Sequence, residues 1–131
     1  MIAGIGTDLC RVGRIAAGIA RPGFLARVFS AEERALLDSL GPNRRVETAA
    51  ANFAAKEAFL KAAGTGLGGF ALSDIGVLRK ESGAPFFALD GAAALWLEEN
   101  GFAAHVSLSH EGGMAAAFVV LEVREKNAAG D

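Results

Sequence analysis

The order of elements in this 131-residue chain predicts an α+β fold: a single compact domain in which a long central helix packs on a small, mainly antiparallel sheet. Three observations carry that expectation. Helix signals gather in the first half of the chain and strand signals in the second, whereas a doubly wound sheet would alternate them. The chain is 52% hydrophobic against 21% charged, enough apolar material for a real core and too much for general disorder. Its length suits one domain of ordinary size rather than two.

Met1 to Gly6 is short and apolar and stops at Thr7-Asp8, which reads as a strand leading into a turn. A helix from about Val12 to Ala20 follows, closed by Arg21-Pro22-Gly23. Ser30 and Glu33 have the spacing of a capping box, in which each side chain satisfies a backbone N–H at a helix start. That helix runs to about Leu40, where Gly41-Pro42 stops it. The longest helical run, about Arg44 to Ala63, is rich in Ala, Glu, Lys and Leu and free of Gly and Pro. Gly64 ends it, and the glycine-rich loop GTGLGG (64–69) follows.

Ile75 to Lys80 and Pro85 to Leu89 flank Glu81-Ser82-Gly83-Ala84, the pattern of a β-hairpin. Asp90 is placed to cap a short helix through Glu99. Ala104 to Ser109 alternates Val106 and Leu108 against His105, Ser107 and Ser109, a half-buried strand. Glu111-Gly112-Gly113 then turns the chain into a last apolar strand, Met114 to Val123. The domain so read spans 1–123, and residues 124–131 (REKNAAGD) form a polar tail expected to fray. No internal repeat is apparent.

Composition narrows the function. One cysteine, Cys10, forms no internal disulfide, so the chain needs no oxidising compartment and reads as cytoplasmic. A net charge of −2 argues against a wholesale nucleic-acid or polybasic membrane role. Met1 to Leu9, broken by Gly4, Gly6 and Asp8, is no secretory signal, and no apolar run approaches the roughly 18 residues of a membrane span.

The informative element is the long helix, at Asn52-Phe53-Ala54-Ala55-Lys56-Glu57-Ala58-Phe59-Leu60-Lys61. Residues four apart share a face, so Glu57 lies in line with Phe53 and Lys61, among Ala50, Ala54 and Ala58. A carboxylate in such small, apolar company is partly desolvated and needs a positive partner or a metal to stay ionised. From spacing alone, a Glu57–Lys61 pair on a solvated helix face is the default. Asp8 is the second candidate, following Gly4-Ile5-Gly6, where the backbone is free to bend or pack closely. Its default is a turn aspartate capping the next helix.

Together the two carboxylates suggest more. Two carboxylates leave the octahedral shell of Mg²⁺ to be completed by waters and substrate phosphate oxygens, so such a site is useful only with a phosphate-bearing ligand. Lys61, Arg14, Arg44, Arg45 and the Gly64–Gly69 loop are parts for one. Gly64, Gly66 and Gly69 formally satisfy GxGxxG, but the loop follows a helix and precedes strands, which excludes a dinucleotide-binding fingerprint. His105, Ser107, Ser109 and His110 lack a GxSxG elbow, and alternation turns His110 away from the other three. Cys10 reads as a buried packing residue.

The blocks Met-Ile-Ala-Gly-Ile-Gly-Thr-Asp-Leu (1–9), Phe53-Ala-Ala-Lys-Glu-Ala-Phe-Leu-Lys61 with Gly64-Thr-Gly66, and Val106-Ser-Leu-Ser-His110 resemble the holo-[acyl-carrier-protein] synthases, the short, single-domain group of the 4′-phosphopantetheinyl transferases. The likeness covers nearly the whole chain in register. It implies that group's fold and its reaction: transfer of 4′-phosphopantetheine from coenzyme A to a serine of apo-acyl-carrier protein with release of 3′,5′-ADP, in fatty-acid (lipid) biosynthesis. By the resemblance, Asp8 and Glu57 bind Mg²⁺ beside the coenzyme A diphosphate, and Lys61 contacts that phosphate region. Gly64, Thr65, Gly66, Ser109 and His110 fall where the family holds the coenzyme A nucleotide. Arg14, Arg21, Phe24 and Arg27 resemble the docking surface for the acidic carrier protein. The family forms homotrimers with active sites between subunits. Glu57, directly or through water held by the metal, is the implied acceptor of the serine proton.

Three positions depart from the family pattern. Asn52 stands where an arginine is common, Ala84 replaces the lysine of a Gly-Lys-Pro turn, and Glu111 stands where a small hydroxyl residue is frequent. The rival readings are a non-catalytic coenzyme A- or nucleotide-binding oligomeric module and a purely structural oligomer.

Overall fold

The computed structural model describes residues 1–66 and 69–125. Leu67 and Gly68 of the glycine-rich loop, and 126–131 of the expected tail, lie outside the described residues. The elements run β1 (Ile2–Arg11), α1 (Val12–Ile19), α2 (Phe24–Val28), α3 (Ala31–Asp38), α4 (Pro42–Ala63), a 3-10 turn (Leu72–Asp74), β2 (Ile75–Arg79), β3 (Pro85–Leu89), α5 (Gly91–Asn100), β4 (Phe102–Glu111) and β5 (Met114–Val123). Two antiparallel sheets result: a three-stranded one in the order β1-β5-β4, and the β2-β3 hairpin.

Local chemistry explains most boundaries. Ser30 Oγ accepts the Glu33 N–H at 3.1 Å while the Ser30 N–H donates to Glu33 Oε1 at 3.0 Å, the reciprocal box expected at the start of α3. Pro42 opens α4, where its missing N–H costs nothing, and Gly64 closes it in the left-handed region (φ 74°). Asp90 accepts the Gly91 N–H at 2.9 Å ahead of α5. Gly112 and Gly113, at φ 57° and 76°, give the β4–β5 hairpin the two left-handed residues that match the twist of its strands.

α4 is the spine. Ala49 to Lys56 and Ala58 to Leu60 are all buried, so elements cover the helix on nearly every side and its alanines let them come close. β1 and β5 pack along one flank. On another, Phe59 meets Phe70, Phe87 and Trp96 edge-on at centroid separations of 6.2, 5.3 and 6.3 Å, tying the hairpin and α5 to the helix.

Two expectations are corrected. The first strand does not stop at Gly6: it continues to Arg11, because Thr7 and Asp8 pair with Phe118 and Ala117 of β5. Asp8 is therefore mid-strand and caps nothing; α1 starts at Val12, and Arg11 at its N-cap makes no side-chain cap. Ladder pairing along an existing strand outweighs the turn preference of Thr-Asp.

Candidate active site

Alternate residues of β1 face α4, and glycine sets the distance. A Cβ on Gly4 would collide with the Ala62 carbonyl oxygen, and one on Gly6 with that of Ala58. The strand thus lies directly on the helix backbone at two points, and the next inward residues, Asp8 and Cys10, follow toward the helix N-terminus. Asp8 accepts from Lys61 Nζ at 3.0 Å, and the same ammonium donates to the Thr7 carbonyl, also at 3.0 Å. Asp8 is largely covered, its side chain 19% exposed, while Lys61 is 57% exposed, so the pair stands at the edge of solvent.

Glu57, one turn before Lys61, is half-buried. Burial pushes its carboxyl above the usual glutamate value, the Asp8 charge pushes it further, and Arg14 and Lys61 pull it back. The Cys10 thiol is also raised, chiefly by burial, and feels Arg14, Asp8 and Glu57 in turn. That places Cys10 against the cluster as an inert neighbour and not as a nucleophile. Arg14 lies over the Phe53 ring, 5.6 Å from its centroid.

Asp8, Glu57, Lys61 and Arg14 are thus gathered where β1, α1 and α4 meet. The two carboxylates are crowded in partly desolvated space, where Lys61 and Arg14 offset their charge. Among the described residues no group of three or more His, Cys, Asp or Glu is placed to hold a metal by itself. Those two oxygen donors fit a hard cation that keeps waters and takes the rest of its shell from a phosphate ligand.

The other site residues lie elsewhere. Gly64, Thr65 and Gly66 are exposed at the C-terminal end of α4. Ser109 and His110 are exposed at the end of β4, where His110 Nδ1 pairs with Glu47 Oε2 at 3.1 Å near the start of α4. Seventeen residues of helix separate Glu47 from Gly64, about 25 Å. A single copy does not bring these two groups together. Arg14, Arg21 and Arg27 are exposed, with Phe24 half-buried; of these, Arg14 reaches the carboxylates electrostatically, so it belongs to the carboxylate cluster as well as to the expected docking surface.

The position of Asn52 has a structural answer. It is fully buried, donating to Glu33 Oε2 (3.0 Å) and the Val77 carbonyl (2.9 Å) and accepting from Arg79 Nη2 (2.9 Å). Beside it Lys56 Nζ donates to Glu33 Oε1 at 2.6 Å and to the Leu72 and Ile75 carbonyls at 3.0 and 2.7 Å. Position 52 faces inward, away from any phosphate at the carboxylate cluster. The signal for this network was a pair of polar residues, Asn52 and Lys56, one turn apart in an otherwise apolar run.

Comparison with known proteins shows the family of the chain. Residues 4–119 match the model of the 4′-phosphopantetheinyl transferase superfamily. The holo-[acyl-carrier-protein] synthase of Shouchella clausii is 42% identical over 124 residues, covering 93% of this chain and 99% of the relative. Among solved structures, the holo-[acyl-carrier-protein] synthase from Neisseria meningitidis superposes with a TM-score of 0.83 at 38% identity, covering 93% of this chain and 99% of that one. That from Bacillus anthracis, in complex with CoA (3′,5′-ADP), superposes at 0.80 with 34% identity, covering 95% and 99%.

Proposed function

We propose, from the premise that this chain belongs to the 4′-phosphopantetheinyl transferase superfamily and is a holo-[acyl-carrier-protein] synthase by kinship, a Mg²⁺-dependent transfer of phosphopantetheine from coenzyme A to a carrier-protein serine. The observation that supports it is the convergence of Asp8 and Glu57, nearly fifty positions apart in sequence, with Lys61 and Arg14 beside them.

The serine oxygen attacks the β-phosphorus of coenzyme A, forming one P–O bond as the bond to 3′,5′-ADP breaks. Asp8 and Glu57 would hold Mg²⁺, which when bound draws negative charge from the diphosphate. Lys61, at the solvent edge, neutralises the departing phosphate oxygens. Glu57, directly or through a water, accepts the serine proton. Positioning and charge neutralisation supply most of the rate in such transfers. Gly64, Thr65, Gly66, Ser109 and His110 hold the nucleotide end of coenzyme A.

The carrier protein docks on Arg14, Arg21, Phe24 and Arg27. Residues 1–123 form one transferase domain, with 124–131 a tail. The active unit is a homotrimer. Its support is an uncovered apolar strip on the outer face of β1 and β5, where Ile5 (59%), Leu9 (65%) and Phe118 (51%) are exposed. The separation of the Gly64 and His110 groups within one copy points the same way. The lone, buried Cys10 suits a cytoplasmic setting, and no helix among the described residues is long and apolar enough to cross a membrane. Fatty-acid synthesis is the context its relatives' named substrate suggests.

Mass spectrometry of an apo-acyl-carrier protein incubated with this protein, coenzyme A and Mg²⁺ tests the proposal. A gain of about 340 Da, one phosphopantetheinyl group, is expected for the transfer. Coenzyme A binding without that gain would refute catalysis and leave a coenzyme-binding module.

A further inference from the structure

His110 makes a contact that coenzyme A binding alone does not explain. Its cross-strand partner on β5 is the fully buried Ala115, so His110 leaves the sheet on the side that faces α4, together with Val106 and Leu108. Its neighbours Ser109 and Glu111 point to the opposite side. The ring meets the second turn of α4, where Nδ1 lies 3.1 Å from Glu47 Oε2. A carboxylate only accepts, so Nδ1 donates and carries a ring proton. Nε2 is then the nitrogen left for a ligand, on a side chain that is 56% exposed.

Glu47 is ill suited to touch the coenzyme itself, because a carboxylate repels its phosphates. Its use lies in the ring it holds. A histidine without such a partner turns about a broad, roughly two-fold second torsion and presents either nitrogen. The hydrogen bond at one ring nitrogen decides what the other offers. Both partners stand on regular elements rather than loops. The hairpin tip just beyond His110 is tied to the start of α1, where the Val12 N–H donates to the Gly113 carbonyl at 2.9 Å. A contact framed in this way fixes the ring's angle and its protonated nitrogen together.

We propose that Glu47 is a positioning residue: it touches no substrate, and it holds the His110 imidazole in the orientation that presents Nε2 to coenzyme A. The inference rests on the reading that His110 holds the nucleotide end of coenzyme A, and deepens it. The test is steady-state transfer by the full chain at saturating apo-acyl-carrier protein, varying coenzyme A, for Glu47→Ala, Glu47→Gln, His110→Ala and the double alanine variant. Glu47→Ala should raise the KM for coenzyme A about three- to tenfold, the worth of one hydrogen bond. Its kcat should not move, because the nucleotide end is held equally in ground and transition states. Glu47→Gln keeps an acceptor for Nδ1 and should restore most of the loss. In the His110→Ala background Glu47→Ala should add nothing. Thermal melts accompany each variant. Glu47 borders an open cleft with Val12, Asn43, Val46 and Gly113, so alanine there empties no core and should melt with the parent. If His110→Ala raises the KM and Glu47→Ala does not, the inference is overturned while the nucleotide reading stands. An effect of Glu47→Ala that persists without His110, or that glutamine fails to relieve, overturns it as well. So does a rise in KM that comes with earlier melting and a lower kcat, which assigns Glu47 to the fold. If neither single alanine variant moves the KM, the nucleotide reading of His110 falls and the inference falls with it.

Discussion

Replacing Lys56 by methionine isolates what holds α3, α4 and the segment after the glycine-rich loop together. Lys56 and Glu33 are both wholly buried and meet at 2.6 Å, and the ammonium also satisfies the Leu72 and Ile75 carbonyls. Methionine is close in size and keeps the packing against Phe29, so the loss is polar rather than a cavity. It leaves the Glu33 carboxylate in the core with the Asn52 amide, the Ser30 N–H and the more distant charge of Arg79 to answer it. Breaking a buried pair from one side costs about 3–5 kcal/mol. Near 4 °C per kcal/mol for a domain of this size, that is a fall in Tm of roughly 12–20 °C. Calorimetry at one fixed protein concentration measures it, since self-association makes Tm concentration-dependent. Glu33→Gln in the Lys56→Met background should cost clearly less than the sum of the single losses. A Tm within about 3 °C of the parent, or strictly additive losses, would refute the coupling.

Asp8→Ala and Glu57→Ala should each lower transfer by about a thousandfold or more while melting within a few degrees of the parent, as followed by carrier-protein mass gain and calorimetry. Lys61→Ala should slow single-turnover transfer more than it weakens coenzyme A binding in titration calorimetry. In the metal-free protein Glu57→Gln should melt higher than the parent at neutral pH. The Glu57 value is raised on folding, so the unfolded chain ionises first; stability falls as pH climbs from the unfolded value through the folded one, and the advantage of Gln should vanish in acid below both. Gly6→Ala forces a Cβ against the Ala58 carbonyl oxygen and should cost about 1–3 kcal/mol in urea unfolding, with a fall in kcat because Asp8 lies two residues further along the same strand.

What was legible in the sequence is what local chemistry decides. The Ser30–Glu33 box, the Gly64 stop, the Asp90 cap and the hairpin around Gly83 each depend on a few neighbouring residues. The Glu57–Lys61 alignment was readable because helix periodicity is local. The reach of β1 to Arg11 was not, since Thr7-Asp8 looks like a turn until β5, over a hundred residues later, supplies Ala117 and Phe118 as partners. Nor was the second task of Glu33, which needs α3 laid against a helix position 23 residues on. The separation of Gly64 from His110 was hidden too, because the long helix was readable but not that β4 delivers His110 to Glu47 near its far end.

The candidate site follows from the same contact that makes the fold close-packed. Gly4 and Gly6 let β1 touch the α4 backbone, and only at that distance does the next inward residue, Asp8, sit near enough to raise the Glu57 carboxyl while binding Lys61. Moving the strand outward by one methyl group would return Glu57 to solvent and lower its proton affinity. The Asp8–Glu57 repulsion is answered in place by Arg14 and Lys61, two cations for two carboxylates, so the cluster is held near neutrality before any ligand arrives. Its cost to stability is then set by desolvation more than by net charge. The glycine spacing on β1 and the alanines of α4 are therefore as much a part of the chemistry as the carboxylates they bring together.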